Sequence, residues 1–210
     1  VRFVTRSGLW QRTIAALTLA GLLAGCARDA GHAKLSGEVP ENAASVGAIA
    51  LPEVHANGAD TPFRFQPPAG HVLLVYFGYT TCPDVCPMTL TDVHRALARL
   101  GDDAHRVELA FVTVDPVRDT PGQLAPYVAT FVAGGHPLRP ASHQQLADAE
   151  RAFGATSSVT QDSSGNVEVS HSGTGYVVDQ RGRIAVEWPF GTSVDAMVHD
   201  LHALLPRAAR

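Results

Sequence analysis

Two short apolar runs dominate the hydrophobic pattern of the chain. The first is Val72-Leu73-Leu74-Val75-Tyr76-Phe77, closed by Gly78, and the second is Val107 to Val114, closed by Asp115-Pro116. Both are rich in β-branched and aromatic residues, which predicts two buried strands. Between them, Val93, Leu97 and Leu100 recur at helical spacing, so Met88 to Leu100 reads as a helix with one apolar face. Thr120-Pro121 opens a second helix, with threonine as N-cap and proline at the first helical position, running to about Phe131 before Gly134-Gly135. Ser142 begins a third, whose Leu146, Ala149 and Phe153 share a face and whose end is Gly154. Strands follow at Val167 to Ser170 and Tyr176 to Asp179; Arg181-Gly182 turns the chain into Ile184 to Glu187. Ser193 caps a last helix, Val194 to Leu205, stopped by Pro206. Upstream, Ala48 to Leu51 and Pro62 to Phe65 around Asn57-Gly58 read as a hairpin beside the core. The pattern predicts an α/β sandwich with a central mixed sheet flanked by helices and an N-terminal hairpin.

The first residues follow a different pattern. Arg2, Arg6 and Arg12 precede an apolar segment, Thr13 to Leu23, too short for an ordinary transmembrane span. It ends in Leu23-Ala24-Gly25-Cys26, which resembles a bacterial lipobox; residues 1–25 are expected to be a lipoprotein signal peptide and Cys26 the lipidated residue. Residues 26–46, rich in Ala, Gly and Ser without a sustained period, read as a flexible membrane tether, and 47–210 as one domain. The expected location is the extracytoplasmic (periplasmic) face of a bacterial membrane. Without Arg2, Arg6 and Arg12 the chain keeps 13 of its 16 basic residues against 20 acidic ones, a net charge of −7. That balance argues against a nucleic-acid partner.

With Cys26 assigned to the lipid, the chemistry falls to the other two of the three cysteines, in Cys82-Pro83-Asp84-Val85-Cys86-Pro87. They stand at the turn from a buried strand into a helix, where an α/β fold exposes reactive groups on a rigid frame. A thiol pair in that place reads as thioredoxin-like. If Pro87 is the first helical residue, Cys86 is the N-cap and faces the positive end of the helix dipole, which favours its thiolate. Two converging thiolates either shuttle between dithiol and disulfide or hold a soft metal ion.

Three stretches taken together resemble the Sco/SenC family. They are Tyr76-Phe77-Gly78-Tyr79-Thr80-Thr81 leading into the cysteine motif, Val114-Asp115-Pro116-Val117-Arg118-Asp119-Thr120-Pro121, and His171 before a Tyr-Val-Val-Asp strand. The resemblance runs from about Ala48 to Pro206. It implies a membrane-tethered, thioredoxin-like protein that binds copper, as Cu(I), Cu(II) or both, and assists maturation of the dinuclear copper site of a cytochrome oxidase subunit. A copper donor and a thiol reductant would be its other partners. Carried over residue by residue, the copper ligands are Cys82, Cys86 and His171. An aspartate often precedes that histidine in the family; here the position is Ser170. Two thiolates and an imidazole suit copper, whereas a closed structural zinc site would normally take a fourth protein ligand.

Asp84 and Asp115 are candidates for supporting the site from behind the ligands. Arg118 and Asp119 read as a turn-stabilising pair, Met88 as helix packing, and His136, His143, His199 and His202 as solvent-facing. The copper chaperone has competitors that use the same cysteines: a thiol–disulfide oxidoreductase acting on the oxidase's copper-site cysteines, with Cys82 and Cys86 as its redox pair, and a redox or copper sensor. A peroxidase would need a peroxide-activating polar pocket, for which the sequence offers no residues.

Overall fold

The computed structural model describes residues 34–206; Cys26 and residues 1–25 lie outside them. The fully apolar run forms β3 (Val72–Gly78), buried at all seven positions. It pairs in parallel with β4 (Val107–Thr113), and β4 with β5 (His136–Leu138). On its other side β3 meets antiparallel β8 (Gly175–Val178), followed by β9 (Ile184–Trp188). The hairpin β1 (Ala50–Val54) and β2 (Asp60–Arg64) closes the far edge, giving the order β2-β1-β5-β4-β3-β8-β9. Its strands run toward each other past the predicted bounds, β1 ending three residues later and β2 starting two residues earlier, because the chain turns over a shorter loop, with Gly58 at φ 82°.

Four helices cover this mixed sheet. α1 (Val85–Leu100) and α4 (Val194–Leu204) pack on the face carrying Leu74 and Tyr76, with α2 (Pro121–Phe131) beside α1. α3 (His143–Phe153) covers the opposite face, where Phe153 meets Phe77 and Tyr176 edge-on at ring distances of 5.4 Å. The predicted caps are in place: Thr120 N–H donates to Gln123 Oε1 (3.1 Å), Ser142 Oγ accepts from Gln145 N–H (3.1 Å), and Ser193 Oγ from Ala196 N–H (3.2 Å). Two strands had no sequence signal. One is the short β5; the other is β6 (Ser157–Gln161), which pairs only with β7 (Val167–His171) in a separate two-stranded ribbon.

Part of the expected tether packs on the domain. Ser36 and Gly37 donate their backbone N–H groups to the buried carboxylate of Asp200 (2.6 and 3.0 Å), which also accepts from Trp188 Nε1 (2.9 Å). Glu38 exchanges backbone hydrogen bonds with Glu187, and Val46 is fully buried. Residues 34–46 therefore form a strap along β9, and the expectation of a free tether is corrected there. The strap carries no hydrophobic period because only Leu35, Ala44 and Val46 pack on the core, and its hydrogen bonds go to backbone groups and one distant aspartate.

Candidate metal centre

The site begins with a glycine. β3 ends at Gly78, where a Cβ would stand 2.8 Å from Cys86 Sγ and 3.0 Å from the ring of Phe111. The missing side chain is the space that the second sulfur occupies. From there the chain crosses Tyr79 to Pro83 and enters α1, whose N-cap is Asp84 and whose first residue is Val85. The expectation that Cys86 caps the helix is thus corrected: Cys86 is the second helical residue and Pro87 the third. A proline is accepted there because no N–H of the first turn has an intrahelical partner to lose. Nor is Cys86 an exposed thiolate. It is fully buried, and burial pushes its thiol well above the ordinary range, outweighing the hydrogen bond from the Tyr79 backbone. Cys82 is only half-buried, and its sulfur accepts the Cys86 backbone N–H at 3.4 Å.

The loop is held from below by the second motif. Asp119, 1% exposed, accepts from Thr80 N–H (3.1 Å), Thr80 Oγ1 (2.5 Å) and Thr113 Oγ1 (2.5 Å). Arg139, which the sequence reading had not singled out, donates to the carbonyls of Pro116 (2.6 Å) and Asp119 (3.1 Å). Arg118 pairs with the buried Asp115 rather than with Asp119, which corrects the expected partner. Asp115 thus supports its own turn. Asp84 is exposed, and its side chain makes no cap hydrogen bond. Met88 is 50% exposed, so its reading as helix packing is also corrected. His136 is not solvent-facing either: it sits half-buried between Glu53 (2.9 Å) and Glu108 (3.6 Å).

His171 arrives from the ribbon. It ends β7 opposite Ser157, and the next residue continues the pairing through Ser172 N–H to Thr156 O (2.9 Å). Its Nδ1 lies 3.0 Å from the Ser172 carbonyl, which can only accept, so Nδ1 carries the proton and Nε2 presents a lone pair. Nε2 stands 3.4 Å from Cys86 Sγ and 3.9 Å from Cys82 Sγ. Tyr76 and Tyr79 flank the imidazole edge-on at 6.0 and 5.7 Å. Burial holds His171 below its ordinary pKa, partly opposed by the carbonyls of Ser172 and Phe77, which keeps the ring neutral. Ser170 is exposed on the other side of the strand, so the residue before the histidine is not its support; the Ser172 carbonyl is.

The three donor atoms lie within 4.8 Å of one another, and both cysteines are free. Two sulfurs and one imidazole nitrogen make a soft donor set open on the Cys82 side. The model of the SCO1/SenC family matches residues 55–206. The chain belongs to the SCO1/SenC family. It is 34% identical over 116 residues to a SCO2-like protein of Rickettsia prowazekii, covering 54% of this chain and 56% of that one. The chain spans between 56% and 61% of the length of the first curated relatives it matches. Among solved structures it resembles apo Sco1 of Thermus thermophilus (31% identity, TM-score 0.68, 82% of this chain and 98% of that one). It also resembles Bradyrhizobium japonicum ScoI with copper bound (27% identity, TM-score 0.63, 75% and 100%). The architecture is thioredoxin-like, as the sequence predicts.

Proposed function

We propose that this SCO1/SenC protein is a copper metallochaperone that holds its cargo through Cys82, Cys86 and His171 and assists assembly of the dinuclear copper site of cytochrome c oxidase. The observation that carries this reading is the convergence of two free sulfurs and a neutral imidazole nitrogen within 4.8 Å. The copper-bound Bradyrhizobium japonicum relative supports copper as the ion. The asymmetry of the sulfurs supports transfer as the task. A ligand from the copper-bearing subunit can approach the half-buried Cys82 and replace it, while Cys86 and His171 retain the ion until exchange is complete. Under this proposal Cys26 carries a lipid and the domain works on the periplasmic side of the membrane.

A second reading has its own support: the Cys86 N–H directed at the accessible Cys82 sulfur. A Cys82 thiolate would attack a substrate disulfide, and Cys86 would then displace the substrate's thiolate. The protein is left with a Cys82–Cys86 disulfide, to be reduced by an external thiol. His171 separates the two readings. The chaperone predicts one tightly bound copper per chain in the reduced wild type, lost in both Cys82→Ala and His171→Ala. Undiminished copper binding in His171→Ala, or rapid disulfide reduction by a wild type without tight copper binding, would overturn it.

A further inference from the structure

The hydroxyl of Tyr76 is the polar atom beside the site that the donor geometry leaves unexplained. Tyr76 is 1% exposed, and its phenolic oxygen makes no hydrogen bond with any described residue. The same holds for the hydroxyl of Thr89, a residue 8% exposed on α1. Buried hydroxyls without partners are rare, because each forfeits its hydration without replacement. Tyr76 projects from the same face of β3 as Gly78, and Gly78 abuts Cys86 Sγ. Thr89 lines the same cavity as Tyr76, and Cys86 is the other neighbour of the phenol, which is left without a hydrogen bond to either. Phe111 (6.1 Å) and His171 (6.0 Å) hold the ring, so the hydroxyl hydrogen gains an acceptor only when a neighbouring atom shifts toward it.

Charge decides where that hydrogen turns. A neutral thiol is a weak acceptor. A sulfur that ligates a metal is a thiolate, which only accepts, and charge-assisted hydrogen bonds are about twice as strong as neutral ones. We infer that Tyr76 is a positioning residue of the metal centre, whose O–H donates to Cys86 Sγ once that sulfur is a metal-bound thiolate. Thr89 completes the arrangement by donating its own hydroxyl to the Tyr76 oxygen. Both orphans then gain partners in the metal-bound protein alone. The inference rests on the reading of Cys82, Cys86 and His171 as ligands.

The test compares Tyr76→Phe with wild type in the full chain, with Tyr127→Phe as control. Tyr127 is a second unpartnered phenol, packed on Phe111 from α2. Without metal, Tyr76→Phe is expected to unfold at the wild-type urea midpoint, since no hydrogen bond is lost. With Cu(I) its affinity is expected to fall about 10–100-fold. The thiolate-to-metal charge-transfer bands of the Cu(II) and Cd(II) forms should shift. Tyr127→Phe should match wild type throughout. Wild-type affinity and unshifted bands in Tyr76→Phe overturn the inference. So does a lowered metal-free midpoint with unchanged affinity, the result expected if a buried water already satisfies the phenol. Failure of the wild type to bind copper while binding Cd(II) sinks the proposed cargo and leaves the Tyr76 comparison readable on Cd(II).

Discussion

Cys86 stands behind a strand buried at every position, whereas His171 ends a ribbon whose β6 strand is exposed at four of its five positions. The cysteine half is fixed by the core: Gly78, Phe111 and the Asp119 hydrogen bonds leave it one arrangement. The histidine half is joined to the site by local bonds, Ser172 to Thr156 and Nδ1 to its own neighbour's carbonyl. Local stability follows buried contact, so the ribbon is the part that opens at least cost. A metal ion bound by all three residues therefore orders the ribbon more than it orders the cysteine loop. Part of its binding free energy is spent against the entropy of that ordering.

The largest expected effect is at the anchor of the rigid half. Asp119→Ala leaves the Thr80 N–H, the half-buried Thr80 hydroxyl and the buried Thr113 hydroxyl without their acceptor, and should cost about 3 kcal/mol in urea denaturation. Gly78→Ala comes next. Its Cβ must displace Cys86 Sγ or Phe111, at about 1–3 kcal/mol of stability, and copper affinity should fall with it. In the ribbon, Asp162 Oδ1 and Oδ2 hold the β6–β7 turn by accepting from Ser164 and Asn166. Asp162→Ala should leave the global unfolding midpoint unchanged and weaken copper binding modestly in a competition titration. If it lowered global stability as much as Gly78→Ala does, the contrast between the two halves would collapse.

The smallest effect is expected far from both. Glu108 bridges His136 and His71 at the start of β4, about 17 Å of strand away from Gly78. The hydrogen bond from His136 holds Glu108 below its ordinary 4.5, despite burial. Burial alone would lower His136, but the bonds and charges of Glu108 and Glu53 outweigh it and raise the imidazole above its ordinary 6.5. The depressed carboxylate stabilises the fold above 4.5, a contribution lost as pH falls through its folded pKa. The raised imidazole stabilises below 6.5, a contribution lost as pH rises through its folded pKa. Stability from this network is therefore fullest between about 4.5 and 6.5. His136→Gln should flatten the decline above 6.5 in unfolding measured against pH, without changing the copper stoichiometry.

The contrast also marks what the sequence could reveal. The rigid half was legible because β3 is uniformly apolar and the thiols follow it directly. The helix caps were legible because Thr120, Ser142 and Ser193 act on neighbours three residues away. The start of α1 was misplaced, since a proline anywhere in the first turn satisfies the same sterics. The ribbon was half-hidden because the side chains of β6 face solvent and leave no alternation to detect. His171 is one of ten histidines, and only the family resemblance selected it. Nothing local could reveal that Asp119 reaches back 39 residues to Thr80, or that Asp200 holds a segment 163 residues upstream.

The bond between Asp119 and Thr80 has a bearing on protein engineering. A designer wishing to graft this thiol loop onto another thioredoxin-like scaffold cannot move residues 79–87 alone. The loop's shape is imposed by a carboxylate from the next strand–helix connection, and that connection is held in turn by Arg139. The portable unit comprises three separate pieces of chain, with a host residue of no side chain where Gly78 now stands.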